Sequence, residues 1–97
     1  MAGDAPEYLA HVRGRRCCAP SSHFGSVEAH HAGARGLGQR ASDMTAIPLC
    51  TLHHRDWHDC NGVFRGWSKE QRRAWAEARI AETQANYSRS LALPEWA

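Results

Sequence analysis

At 97 residues, with a formal net charge of +2 and 42% hydrophobic residues, the chain has room for one small domain and only a modest core. No apolar run approaches the roughly 18 residues that cross a bilayer. Residues 1–16 lack the apolar segment of a secretory signal, so a cytoplasmic protein with reduced cysteines is expected. Large aliphatic residues are scarce and alanine is abundant, so a bound metal would be a natural supplement to the core.

In chain order, residues 1–10 read as a loosely ordered N-terminus, with a turn or two of helix over residues 7–13 bringing Tyr8, Leu9 and Val12 to one side. Arg13-Gly14-Arg15-Arg16 leads into Cys17-Cys18-Ala19-Pro20-Ser21-Ser22-His23, a tight loop between potential ligands. Residues 26–31 suit a short strand. Residues 32–42, with Gly33, Gly36 and Gly38 among Arg35, Gln39 and Arg40, suit a flexible basic loop. Residues 45–49 suit a second strand, with Pro48 tolerated at an edge or strand end. A helix follows from about Cys50 to Asp59 and is expected to stop at Asn61-Gly62. Ser68 and Gln71 spell a capping box ahead of a last helix from Lys69 to about Ala85. Its face of Ala74, Trp75, Ala78, Ala81 and Ala85 predicts close packing on the preceding unit. Residues 88–97 read as a tail. Trp67 and Trp75 are expected in the core.

Five of the seven histidines fall in two places, Val27-Glu28-Ala29-His30-His31 and Leu49-Cys50-Thr51-Leu52-His53-His54-Arg55-Asp56-Trp57-His58. On a helix, His54 and His58 at i and i+4 share a face, the spacing that lets two imidazoles meet one metal. Cys50 and His53 at i and i+3 form a second pair, turned by about 90° from the first. One short helix can therefore serve two ions. In a strand, His30 and His31 point to opposite faces, so one can be a ligand while the other turns elsewhere, toward a substrate.

Strand, loop, strand and helix, with a His-His doublet on the first strand and His-x-x-x-His on the helix, resembles the HNH (ββα-metal) endonuclease family. The likeness is strongest to small phage and prophage members with the signature VEAHH, a following Asp, and PLC-x-x-HH-x-x-x-H. It covers residues 11–67, and residues 27–58 carry its specific part. It implies a small α+β fold: a ββα-metal core over residues 11–67 with a structural zinc knuckle, a packing helix over residues 68–87, and a tail.

By the same resemblance, His30, His54 and His58 hold a catalytic divalent metal (Mg, Mn, Ni or Zn). His31 is the general base, and Asp43, in place of the family's central Asn, hydrogen-bonds its imidazole. The activity implied is hydrolysis of DNA phosphodiester bonds, leaving 5′-phosphate and 3′-hydroxyl ends. Arg35, Arg40 and Arg55 are expected on flanking phosphates; residues 11–73 carry ten Lys or Arg against five Asp or Glu. Cys50 and His53 need partners for a structural zinc, with Cys17, Cys18 and His23 as candidates. Cys18 with His23 is favoured because adjacent cysteines seldom both reach one ion, although Cys17 remains open. The family's usual Cys-x-x-Cys knuckle is broken here by Cys17-Cys18-Ala19-Pro20. Cys60 falls outside both sets, as a small buried or free thiol.

Partners beyond DNA would be a specificity-giving or recombination protein, and a dimer through the Ala-rich helix is an open alternative. Two other functions compete: a non-catalytic zinc module binding DNA or protein, which would have no use for His31, and a phosphodiesterase acting on RNA or small nucleotides.

Overall fold

The computed structural model describes residues 5–20, 23, 25–33 and 42–92. In chain order the elements are α1 (Pro6–Arg13), β1 (Val27–His31), β2 (Ala46–Cys50), α2 (Thr51–Asp59) and α3 (Lys69–Ala92), with single 3₁₀ turns at Asp43–Thr45 and Gly62–Phe64. This is a small α+β fold. Among the described residues no helix is long and apolar enough to cross a membrane.

β1 and β2 pair antiparallel, with His30 opposite Ile47 and His31 opposite Ala46. Strand alternation then decides what each residue meets. Ala29 packs in a small cluster with Tyr8, Val12 and Ala46, on the α1 side of the sheet. Glu28 and His30 take the other side, where His54 of α2 meets both. All five residues of β2 are buried, because Ile47 and Leu49 join Trp57 and Phe64 in the main core while Ala46 faces α1.

β2 runs into α2 with no loop, so Cys50 ends the strand and caps the helix. Thr51 N–H, one of the donors a helix start leaves without an internal partner, donates to Ser26 O at 3.0 Å. That contact requires Gly25 beside it: its φ is +87°, and a side-chain carbon there would stand 2.6 Å from Thr51 Cβ.

Several expectations change. Residues 6–10 are not loosely ordered: they are helical, and Tyr8 is fully buried with its hydroxyl donating to Ala46 O at 3.3 Å. Amphipathic burial outweighs a short, proline-started sequence here. α2 ends on Cys60, which itself adopts the left-handed conformation (φ 55°, ψ 41°), and not on Asn61-Gly62. The capping box forms as read: Gln71 N–H donates to Ser68 Oγ at 3.1 Å, and Ser68 N–H to Gln71 Oε1 at 2.7 Å.

α3 continues to Ala92, past both Ala85 and the expected domain end at residue 87. Its inner face is also different. Ala74, Ala78, Ala81 and Ala85 are exposed, whereas Arg72, Trp75, Ala76, Arg79, Ile80 and Thr83 turn inward. Trp75 stacks beside Trp57 at 5.3 Å, and the guanidinium carbon of Arg72 lies 4.1 Å over the Trp57 ring. Aromatic area and cation–π contact outweigh the smaller burial an alanine stripe offers. Trp67 packs on Phe64 and Trp75, in the core as expected. The expected phosphate-binding Arg35 and Arg40, with the loop around them, lie outside the described residues, as do residues 93–97 of the tail.

Candidate metal centres

Two groups of side chains converge on opposite flanks of α2. Cys17, His23, Cys50 and His53 place one ligand atom each within 4.8 Å of one another, and so do His30, His54 and His58. The split of the helix into an i, i+3 pair and an i, i+4 pair is what produces two groups.

In the first group, three atoms crowd a single nitrogen. His53 Nδ1 is 3.2 Å from Cys50 Sγ, 3.5 Å from Cys17 Sγ and 3.3 Å from His23 Nδ1. An imidazole nitrogen has one proton to give or one lone pair to offer, in one in-plane direction. It cannot hydrogen-bond three ways. A tetrahedral cation accounts for all three approaches: Zn–N of about 2.0–2.1 Å and Zn–S of about 2.3 Å separate ligand atoms by roughly 3.3–3.6 Å. Cys17, Cys50 and His53 are buried while His23 is exposed. Burial holds His53 below the ordinary imidazole range, helped by His23, and raises the Cys17 thiol. A neutral imidazole is ready to bind metal, whereas a buried thiol needs a nearby cation to ionise.

The structure therefore brings in Cys17 and leaves out Cys18. The backbone explains the choice: Cys18 N–H donates to Pro48 O at 2.9 Å, fixing the segment along β2. Cys18 then lines a cleft with Glu82 and Thr83 of α3. Burial, then Cys17, pushes the Cys18 thiol up to about 12. Cys60 is exposed and free.

In the second group, His30 Nδ1 lies 3.1 Å from His54 Nε2, and the His58 ring sits 5.1 Å from that of His30 and 4.9 Å from that of His54. His30 is buried, His54 half-buried and His58 exposed, so the group opens to solvent on one side. Burial pushes His30 down to about 3, with the neighbouring His54 and His58 adding to it. His30 stays neutral, with a lone pair to offer.

A residue that the sequence reading passed over orients this group. Glu28 Oε1 is 2.6 Å from His54 Nδ1. A carboxylate only accepts, so the proton sits on Nδ1 and the Nε2 lone pair faces His30 and His58. Glu28 and His30 are two apart on one strand, hence on one face, and that was the available signal.

His31 points to the other side of β1. Its Nε2 is 2.7 Å from Asp43 Oδ1, while Asp43 Oδ2 accepts the Ala5 N–H at 2.9 Å. Asp43 is buried and His31 is half-buried. The carboxylate accepts the hydrogen bond of Nε2–H, so in the neutral ring the lone pair lies on Nδ1. Arg55 is exposed on α2, next in sequence to His54.

A family model described as "Protein of unknown function (DUF968)" matches residues 2–78. No curated protein and no solved structure matches the chain.

Proposed function

We propose that this chain, which belongs to the DUF968 family, is a metal-dependent endonuclease that hydrolyses DNA phosphodiester bonds. β1, β2 and α2 are read as a ββα-metal core of HNH type, and the Cys17–His23–Cys50–His53 group as a structural zinc site. One observation carries the reading: next in sequence to His30 of the three-histidine group, the imidazole of His31 is fixed by the buried carboxylate of Asp43. A purely structural zinc module has no use for that arrangement.

The donor set fits a catalytic cation. Three imidazole nitrogens converge, one side is open, and Glu28 orients the His54 ring. A divalent ion bound there supplies Lewis-acid stabilisation of charge on the phosphate and the departing oxygen. The chain's own residues do the rest. Asp43 holds His31 with Nδ1 unprotonated, and Nδ1 accepts a proton from water. The water oxygen forms the new bond to phosphorus as the bond to the 3′ oxygen breaks, leaving a 5′-phosphate. Solvent protonates the 3′ oxygen, and His31 returns its proton to solvent. Asp43 stabilises the imidazolium between those steps. Arg55, exposed on α2 next to His54, is assigned to a flanking phosphate.

The test is nicking of supercoiled plasmid with Mg²⁺, Mn²⁺ or Ni²⁺, run for wild type and His31→Ala with metal content measured on both. Cleavage by wild type and its loss in a variant that keeps its metal support the enzyme. Equal inertness of the two metal-loaded proteins overturns it in favour of a non-catalytic zinc module. A strong preference for RNA over DNA moves the substrate class and keeps the site.

A further inference from the structure

A groove of about 250 Å³ runs between Gly33, two residues beyond His31, and the first turns of α3, with Trp57 in its wall. Lys69, Arg72 and Arg73 line it, against the single carboxylate of Glu77. None of these three cations has a salt bridge among the described residues. Trp57 stands between the groove and the three-histidine group: its ring is 6.0 Å from that of His30 and 4.1 Å from the guanidinium carbon of Arg72.

We propose that this groove binds a phosphate of a DNA strand adjacent to the one engaged at His30, His54 and His58. The proposal rests on the nuclease reading above and names a further part of its substrate site.

The Arg72 guanidinium carbon lies 4.1 Å over the Trp57 ring in the groove wall, a cation–π contact that restrains the side chain there. Its Nη1 is buried with no hydrogen-bond partner among the described residues. The stack thus holds a charge with unused donor capacity. Lys69 and Arg73 are exposed, one helical turn apart, where a phosphodiester backbone can displace their counterions. The α3 start reads in sequence as an ordinary charged helix face; only the packing on Trp57 turns it toward the histidines.

The experiment measures binding of a fluorescein-labelled mixed-sequence DNA duplex by anisotropy over a salt series. It uses the metal-loaded His31→Ala background, so that DNA is not cut. Lys69→Gln/Arg73→Gln replaces two exposed side chains and leaves the core alone. Arg72→Lys keeps the charge and removes the guanidinium from the indole face. Arg13→Gln/Arg89→Gln changes net charge equally on exposed positions elsewhere.

The groove pair should bind about tenfold more weakly near 0.1 M salt, with a salt slope shallower by about two counterions. The control pair should stay within about twofold of the parent, and Arg72→Lys should weaken binding with the charge retained. Equal losses in the groove and control pairs, or none in either, overturn the proposal. If the parent binds and the groove pair weakens it while wild type nicks nothing, the nuclease reading falls and the groove stands as a DNA site. If wild type nicks and the groove pair binds normally, the groove alone falls.

Discussion

The two side-chain groups on α2 draw on the same helix yet are built for opposite conditions. The Cys17–His23–Cys50–His53 group has four donors, two of them thiols, and three of its members are buried. Around a tetrahedral ion these four donors would complete the shell and leave no position for a substrate. The His30–His54–His58 group has three nitrogens, one buried member, and a carboxylate outside it that sets a tautomer. With an ion bound it would be an incomplete shell, and on the proposed reading His31 would serve it as general base. Coordination number and exposure, more than ligand chemistry alone, separate a group that would hold the fold from one that would work on a substrate.

The largest effect expected from this contrast is at the closed group. Cys50→Ser should leave the chain unfolded or molten, since apparent binding energies at structural zinc sites are about 10–16 kcal/mol, comparable to or above a small domain's whole stability. Far-UV and near-UV circular dichroism with metal analysis checks it; a cooperatively folded Cys50→Ser would break the comparison.

Next comes His31→Ala, expected to lower cleavage by about 10²–10⁴-fold while two ions per chain and the melting temperature are retained. Smaller again, Glu28→Gln should weaken metal at the open group about 10–100-fold and leave the closed group loaded. Competition titration with a chromophoric chelator resolves the two classes of ion.

An effect of similar size, confined to alkaline pH, lies on the far side of the sheet. Burial pushes Tyr8 up to about 12 from an ordinary value of 10.0. An acid raised on folding stays neutral in the native state, so its stabilisation is complete below pH 10 and is lost as pH rises from 10 through 12. The loss is on the order of 2 kcal/mol. Denaturation midpoints should fall over that window, and Tyr8→Phe should flatten the fall.

The sequence made legible whatever depends on periodicity within one element. The i, i+3 and i, i+4 pairs on α2, the alternation of His30 and His31, and the Ser68–Gln71 capping box follow from local geometry alone. What was not legible depends on packing between elements. Cys17 enters the first group in place of Cys18 because Cys18 N–H is tied to Pro48 O, a contact between segments thirty residues apart in sequence. The inner face of α3 was misread by weighting alanines. Arg72, Trp75, Ala76, Arg79, Ile80 and Thr83 follow the helical repeat just as well, and two arginines on a buried face make sense only once Trp57 and Trp75 lie beneath them. Glu28 needed α2 to be docked before its role appeared, although its shared face with His30 was already written in the strand.

The direct junction of β2 and α2 has a further consequence for how the protein would be assembled. Cys50 is at once the last residue of the strand and the cap of the helix, and three residues later comes His53. Any cation gripping those two side chains would fix the helix's azimuth against the sheet, and with it the distance from His54 and His58 to His30. On the proposed reading, loading is therefore sequential. The closed shell fills first and sets the geometry, and only then does the open shell acquire its affinity. Linkage makes the preference mutual, so an ion in the open shell would tighten binding in the closed one. A cell short of zinc would then accumulate unfolded chain and very little half-loaded protein.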